Sequence, residues 1–381
     1  MSKRAKREYL LEIRKRYFSS TKAEKQSILN EFCSNCGYNR KYAIRLINKH
    51  SQPKDKSSRK KPRGRPKKYN HPLIFDFLKK LWVCSNLVCS KRLKAMIPLW
   101  LPFYDKPLAE NLKILLLSIS PATIDRILHK IKRKYRKLGL SSTKPGSLLK
   151  KQIPIKTNQW DESRPGFLEA DTVAHCGCSL SGPFVYSVNV TDIATGWIET
   201  RATWGKGQTG VFNALKSVES SLPFKILGFD SDNGNEFLNR HLIKYFTHRR
   251  QPVQYTRSRE YQKNDNAHIE QKNWTLIRQY LGYHRFDNPN ILPLLNNLYC
   301  NEWPLFFNFF VPSVKLIDKL RDGSKIIKKY SPPKTPFQRL LDSKKIKPIV
   351  KKQLTAVCYS LNPFLLQNSI KEQIANILKL L

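Results

Sequence analysis

The segment Phe167-Leu-Glu-Ala-Asp-Thr-Val173 follows a Pro-Gly pair and predicts a β-strand. Residues 184–192 and 197–204 predict two more strands, because both segments are rich in β-branched and aromatic side chains. Turn-forming residues separate the three segments, with Gly182-Pro183 before the second and Ala194-Thr-Gly196 before the third. The three strands are therefore expected to form an antiparallel meander.

Helix and strand patterns alternate after this meander. Helices are predicted at 208–220, 237–248 and 266–280, and short strands at 225–229 and 253–256. Three strands followed by alternating helices and strands are typical of the ribonuclease H-like fold. The predicted fold class of residues 166–285 is thus α/β, with a mixed sheet that carries helices on its faces.

Three acidic residues lie where this topology can bring them together. Asp171 lies inside the first strand, Asp232 directly follows the fourth strand, and Glu270 lies on the helix after the fifth. A lone carboxylate is costly in a strand unless something pairs with it. The first and fourth strands are neighbours in this fold and the last helix crosses their edge, so all three carboxylates can converge. The alternative is three unrelated acids on a solvated surface.

Converging carboxylates predict a site for Mg²⁺ or Mn²⁺, because hard cations prefer oxygen ligands. Two such ions, held by Asp171, Asp232 and Glu270, would suit the in-line displacement of a phosphodiester. Asp230 and Glu169 each lie two residues before a predicted ligand and share its face of the strand. The motif Asp232-Asn-Gly234 favours Asp232 over Asp230, which we expect to have a supporting role.

Residues 167–282 resemble the catalytic core of DDE-type insertion-sequence transposases, which is similar to that of retroviral integrases. The resemblance rests on three motifs: Glu169-Ala-Asp-Thr172, Asp230-Ser-Asp-Asn-Gly-Asn-Glu-Phe237 and Tyr261-Gln-Lys-Asn-Asp-Asn-Ala-His-Ile-Glu-Gln-Lys272. Glu270 follows Asp232 by 38 residues, close to the spacing typical of the family. Segments 39–46, 143–149 and 312–316 also resemble such transposases, so the similarity extends over residues 1–345.

The resemblance implies a transposase that binds the ends of a mobile DNA element. Hydrolysis would free a 3′-hydroxyl, which would then attack target DNA, and a homo-oligomer would carry out both steps. One motif departs from the retroviral pattern, in which lysines follow the catalytic Glu by four and seven residues. Trp274 and Ile277 occupy these positions here, and Lys272 is the nearest predicted DNA contact. The alternatives are a plain nuclease of the same fold and a DNA-binding regulator with an inactive core.

The charge of the chain indicates a polyanionic partner. It has 70 Lys and Arg against 28 Asp and Glu, a formal net charge of +42. Double-stranded DNA is the expected partner, since each phosphate contact by Lys or Arg releases a counterion. No apolar run approaches the length of a membrane span, and no signal peptide is predicted at the N-terminus. We therefore expect a cytoplasmic protein without a membrane partner, associated with the nucleoid in a bacterium. The eight cysteines show no complete zinc motif and predict free thiols.

Residues 1–50 predict three short helices, the third of which is basic, as in a helix-turn-helix unit that reads the major groove. Thr21-Lys-Ala-Glu24 is a capping box, Gly37 is a stop signal, and Asn39 can cap the third helix. Tyr42, Ile44, Leu46 and Ile47 are its expected core residues. The predicted DNA contacts are Arg40, Lys41 and Arg45. The alternative is a helical bundle with a solvated basic face.

A basic linker, 51–70, follows this unit. Its Arg63-Gly-Arg65-Pro66 sequence resembles an AT-hook, in which Arg63 and Arg65 would enter a narrow minor groove, or a nuclear localisation signal. Residues 71–137 predict a second helical DNA-binding unit, with Ser120-Pro121 at the start of its recognition helix. The predicted contacts on that helix are Arg126, Lys130 and Arg133. The alternative, a basic coiled-coil arm, lacks sustained heptads.

Two segments complete the predicted domain organisation. Residues 138–165 are a second linker, rich in Gly, Ser, Lys and Pro. Residues 286–381 form a basic C-terminal region for DNA contact or assembly. An amphipathic helix is predicted there at 370–380.

Overall fold

The computed structural model describes residues 1–49, 68–135, 164–231, 237, 240–257, 269, 272–323 and 325–381. The chain divides into two units, Met1–Lys67 and Lys68–Leu381. All eight cysteines are free, as predicted.

The first unit contains three helices: α1 (Lys3–Ser19), α2 (Lys22–Cys36) and α3 (Arg40–Ile47). The predicted end signals are confirmed. The backbone N–H of Thr21 donates to Glu24 Oε2 at 2.8 Å, Gly37 ends α2 with φ 64°, and Asn39 Oδ1 accepts from Lys41 N at 3.0 Å.

The core of this unit corrects one prediction. Tyr42 and Ile44 are 41% and 36% exposed, whereas Ala43 and Ile47 are buried. Residues four apart share a helix face, so a short helix buries the pair Ala43 and Ile47 against Phe32 and turns its neighbours outward.

The second unit begins with four helices: α4 (Pro72–Cys84), α5 (Ser90–Trp100), α6 (Glu110–Ser118) and α7 (Pro121–Tyr135). A 3₁₀ turn, Leu101–Phe103, follows α5. Ser120 begins α7 as predicted, since its hydroxyl accepts from Thr123 N at 3.2 Å.

A five-stranded sheet follows. Its strands are β1 (Phe167–Ala174), β2 (Val185–Asp192), β3 (Ile198–Trp204), β4 (Gly228–Ser231) and β5 (Gln254–Arg257). The strand order is β3-β2-β1-β4-β5. β1 pairs antiparallel with β2 and parallel with β4. β3 pairs antiparallel with β2, and β5 pairs parallel with β4. This arrangement confirms the ribonuclease H-like mixed sheet.

Helices cover both faces of the sheet. On one face lie α8 (Gln208–Ser221) and α9 (Arg240–Thr247), over a core that includes Leu168, Val190 and Phe229. On the other lies α10, which runs as a π-helix over Asn273–Arg278 and as an α-helix over Gln279–Leu281.

The C-terminal region contains five helices and a hairpin among its described residues. The helices are α11 (Ile291–Cys300), α12 (Glu302–Phe310), α13 (Pro336–Asp342), α14 (Pro348–Ser360) and α15 (Pro363–Leu378). The hairpin pairs β6 (Leu316–Asp322) with β7 (Lys325–Tyr330). These two strands were not predicted from the sequence.

One hydrophobic core joins the first four helices of this unit to the sheet and the C-terminal helices. Trp100 lies at its centre. Its ring contacts Phe364 edge-on at 4.9 Å between centroids, and its Nε1 donates to Phe310 O at 3.1 Å. Residues 71–135 are therefore built into the same body as the C-terminal helices.

Candidate active site

Asp171 lies in the middle of β1, opposite Asn189 of β2. Its side chain is partly exposed. Oδ1 accepts from the backbone N–H of Thr172 at 2.7 Å, and Oδ2 accepts from Nδ2 of Asn273 at 2.6 Å. These two donors hold the carboxylate in one orientation.

Asn273 is itself held by a chain of hydrogen bonds. Its Oδ1 accepts from Asn189 Nδ2 at 2.9 Å, and Asn189 Oδ1 accepts from Thr200 Oγ1 at 3.2 Å. These contacts tie α10 to three neighbouring strands through the residue beside Asp171. Asn273 was not among the predicted site residues. The available signal was its position three residues after Glu270, which is the spacing of neighbours on a helix face.

Glu169 and Asp230 support the same edge of the sheet. The two residues face each other in the parallel register of β1 and β4. Glu169 is only 3% exposed, and its Oε2 accepts from the backbone N–H of Ile269 at 3.1 Å. Asp230 Oδ1 accepts from Thr256 Oγ1 of β5 at 2.7 Å. Both side chains therefore tie neighbouring segments to the central strands.

Asp232 and Glu270 lie outside the described residues. Their sequence neighbours are described: Ser231 ends β4 opposite Ala170, and Ile269 is fully buried. Within the described part of the chain, no group of three His, Cys, Asp or Glu side chains could hold a metal ion. Asp171, with its oriented carboxylate, is the one predicted ligand whose surroundings the structure describes.

Trp274 and Ile277, the two positions compared above with the lysines of the retroviral pattern, both lie in the π-helical part of α10. Ile277 is fully buried, whereas Trp274 is 40% exposed. Arg278, the other base nearby, points into the protein and donates from Nη2 to Ala174 O at 2.8 Å. π-Helical segments are rare and often lie at functional sites.

Lys272 faces a pocket beside this site. Its Nζ donates to Gly196 O at 3.3 Å, and Arg92 and Arg339 are charged neighbours. Burial, followed by repulsion from these two guanidinium groups, lowers the pKa of Lys272 to about 7. Its predicted role in DNA binding stays a prediction.

The other predicted DNA contacts lie on helix surfaces or outside the described residues. Arg40, Lys41 and Arg45 are exposed on α3, and the guanidinium of Arg45 lies 5.2 Å from the ring centroid of Tyr42. A second exposed set lies on α7: Arg126, Lys130 and Arg133. Arg63 and Arg65 fall outside the described residues. Among the described helices, none combines the length and apolar character needed to cross a membrane.

Solved structures with a similar chain path include three retroviral proteins. The catalytic core domain of HTLV-2 integrase in complex with magnesium matches 39% of this chain and 90% of its own, at 16% identity and a TM-score of 0.29. The BIV integrase core matches 47% and 95%, at 13% identity and 0.28. The simian T-cell lymphotropic virus intasome in complex with PP2A regulatory subunit B56 gamma matches 63% and 73%, at 16% identity and 0.35. The fold assignment itself rests on the strand order of the sheet.

Sequence comparison gives a nearer relative. No model of a known protein family matches the sequence. The uncharacterized protein y4rM of Sinorhizobium fredii is 38% identical over 336 residues, which are 85% of this chain and 91% of that protein. At this identity over most of both sequences, the chain belongs to the same family as y4rM.

Proposed function

We propose that this protein is a transposase that binds the ends of a mobile DNA element and catalyses metal-dependent cleavage and joining of DNA strands. The observation that carries the proposal is the oriented Asp171 carboxylate on the central strand of a ribonuclease H-like sheet, with the end of β4 and the start of α10 beside it. Asp232 and Glu270 complete the proposed catalytic set.

Chain connectivity supports the assignment of Asp232. Asp232 is the residue that directly follows Ser231 in the chain. Ser231 pairs with Ala170, the residue directly before Asp171. We propose that Asp232, the next residue of the chain, shares a metal ligand role with Asp171.

Glu270 lies in the sequence between two residues that contact β1. Ile269, directly before it, donates to Glu169, and Asn273, three residues after it, donates to Asp171. Both acceptors lie on one face of β1, two residues apart. We propose that Glu270, which lies between these two contacts in the sequence, acts together with the Asp171 carboxylate.

Asp171, Asp232 and Glu270 would hold Mg²⁺ or Mn²⁺ as a pair of ions. When bound, such ions lower the pKa of an attacking water and stabilise the leaving oxygen. The protein's own part is to position these groups. Asn273 and the Thr172 amide hold the Asp171 carboxylate in one orientation, and buried Glu169 holds the backbone of Ile269, four residues before α10.

DNA binding follows from charge and exposure. A net charge of +42 and the exposed basic side chains of α3 and α7 suit a phosphate backbone. We propose that residues 1–50 and 71–137 read the element ends, that residues 286–381 contact DNA or assemble protomers, and that the active form is a homo-oligomer.

A strand-transfer assay tests this proposal. The full chain would be incubated with Mg²⁺, a supercoiled target plasmid and DNA that flanks the gene, for the wild type and for Asp171→Asn. The proposal predicts joined products from the wild type and DNA binding without joining from the variant. Cut products alone would indicate a nuclease. DNA binding without any reaction under Mg²⁺ or Mn²⁺ would indicate a regulator and contradict the proposal.

A further inference from the structure

A pocket of about 230 Å³ lies between the start of α5, the β2–β3 turn, α10, the segment after α12, and α13. We call it the cationic pocket, because its described lining carries four basic side chains and one carboxylate: Arg92, Lys272, Lys315, Arg339 and Asp192. One water takes about 30 Å³ of liquid volume, so the pocket has room for a small anion.

Neutral oxygens hold the basic side chains in place. Arg92 Nε donates to Pro312 O at 2.6 Å, and Lys272 Nζ donates to Gly196 O at 3.3 Å. Arg339 Nη1 donates to Thr195 O at 3.0 Å and to Ser313 Oγ at 2.8 Å. These bonds fix geometry without cancelling charge. Like charges that are kept close and partly buried are costly, and an anion among them would relieve that cost.

The one carboxylate in the described lining, Asp192, already accepts several hydrogen bonds. Asp192 is fully buried, with Oδ1 accepting from Gly166 N at 2.7 Å. Its Oδ2 accepts from Thr195 N at 2.7 Å and from Thr195 Oγ1 at 2.6 Å. Asp192 thus fixes the turn that presents the carbonyls of the pocket. Among the described lining residues, four basic side chains therefore stand against this one carboxylate.

Thr191 provides a second, independent indication of a ligand. It lines the pocket and is 2% exposed, and its Oγ1 has no hydrogen-bond partner among the described residues. A buried hydroxyl without a partner is costly and uncommon in proteins. A hydroxyl beside several cations suits an oxyanion, which accepts from both kinds of donor.

The pocket opens on the face of the sheet that carries Asp171. Thr191 pairs with Glu169 across β1 and β2, as Asn189 pairs with Asp171. Thr191 and Asn189 lie two residues apart on one face of β2, about 6.6 Å along the strand. A group bound at Thr191 would therefore lie about 6.6 Å along β2 from Asn189, the residue that pairs with Asp171.

We propose that the cationic pocket binds a phosphate oxyanion, held by Lys272, Arg92, Arg339 and the hydroxyl of Thr191. The phosphate belongs either to the backbone of a DNA strand that passes Asp171 or to a free phosphate or nucleotide. The DNA backbone as the source of the phosphate rests on the proposed function. The presence of a phosphate site does not.

The test is a ³¹P NMR titration of the full chain with inorganic phosphate, at constant ionic strength set by chloride and with EDTA present. The chain has many exposed bases, so the matched control is Lys216→Gln, which removes an exposed lysine on α8, the helix that covers the opposite face of the sheet. We expect one saturable site in the wild type and in Lys216→Gln. Lys272→Gln should bind about tenfold more weakly or worse, and Lys272→Arg should keep the site.

Two results would overturn the proposal. One is wild-type binding that never saturates, which needs no variant to be observed. The other is equal affinity in the wild type and a folded Lys272→Gln protein. Thr191→Val, which removes only the hydroxyl, should also weaken binding several-fold.

Competition with a short duplex identifies the source of the phosphate. Displacement of inorganic phosphate from the wild type by DNA would support the backbone phosphate. Phosphate that stays bound beside DNA would support a free phosphate or nucleotide site. Without metal no strand is cut, so these results do not depend on whether the catalytic proposal is correct.

Discussion

The two faces of the sheet differ in what they contain. Toward α8 and α9, strands β1, β2 and β4 present Leu168, Val190 and Phe229, all buried in one apolar cluster. On the face toward α10, β1 and β2 carry carboxylates, amides and hydroxyls. The edge strand β3 carries apolar residues on this face, such as Ile198. The first face holds the sheet to its helices, and the polar part of the second is left for chemistry. Substitutions on the two faces should therefore separate stability from activity.

The largest effect is expected on the apolar face. Phe229 is 1% exposed and stacks on Phe246 with 4.7 Å between ring centroids. Phe229→Ala should lower the free energy of unfolding by about 3–5 kcal/mol, because it leaves a cavity in the core. Urea unfolding followed by circular dichroism would measure the change. A loss under about 1 kcal/mol would show that this cluster does not hold the sheet.

Asp171→Asn is the counterpart on the polar face. We expect its free energy of unfolding to stay within about 1 kcal/mol of the wild type, since an amide oxygen can still accept from Thr172 and the residue is partly exposed. DNA joining should fall to background. Unfolding and joining would be measured on the same preparation. A strongly destabilised variant would mean that Asp171 is a structural residue.

Asn273→Ala should have a smaller effect on the rate. It removes the donor to Asp171 Oδ2, so we expect joining to slow by about 10–100-fold with DNA binding unchanged. Asn296→Ala is a matched control, because Asn296 bonds both backbone groups of Ala202 at 2.8 and 3.0 Å and touches no predicted ligand. The control should lose stability and keep its rate per folded molecule. Equal rates in the two variants would remove Asn273 from the site.

The stability of the protein is expected to depend on pH through Glu199, which lies with Arg201 on the face of the sheet covered by α8. Burial raises the pKa of Glu199 to about 7, against the lowering influence of Arg201, 3.2 Å away. The folded state binds the proton of this carboxyl more tightly than the unfolded state, whose pKa is about 4.5. The resulting contribution to the free energy of unfolding is fully present below about pH 4.5 and is lost as the pH rises through 7. The wild type should therefore lose stability relative to Glu199→Gln between pH 5 and 8, as measured by urea unfolding. Parallel curves would contradict this assignment.

The smallest effect concerns the hydroxyl of Thr191. Thr191→Val removes a buried donor that has no partner among the described residues, so without phosphate the variant should be as stable as the wild type or more stable by about 1 kcal/mol. Thermal unfolding in chloride would measure this difference. A clear loss of stability would mean that the hydroxyl has an acceptor in the folded protein.

Local patterns predicted the fold well, because strand, turn and capping signals lie within a few residues of the structures that they produce. Asn39 and the pair Thr21 and Glu24 act on adjacent backbone groups, and the predicted contacts exist. The apolar face of α3 was predicted wrongly, since eight residues are too short for periodicity to separate Ala43 from Tyr42 and Ile44.

Features that join distant segments could not be predicted. Asn273 reaches Asp171 from 102 residues away, and Arg92 reaches Pro312 from 220 residues away. The cationic pocket combines side chains from five separate segments, and only the folded chain brings these together. Asp171 was found because a carboxylate inside a strand is unusual in itself, whereas an asparagine on a helix or a basic residue in a basic chain is not.

The most direct test of the catalytic claim compares two aspartates that lie two residues apart. Strand transfer would be measured with Mg²⁺ for the wild type, Asp232→Asn and Asp230→Asn. In the matched control the new amide oxygen can still accept from Thr256. We predict that Asp232→Asn binds DNA and makes no joined product, while Asp230→Asn still joins DNA. Joining by Asp232→Asn at the wild-type rate, or its loss in Asp230→Asn alone, would contradict the account.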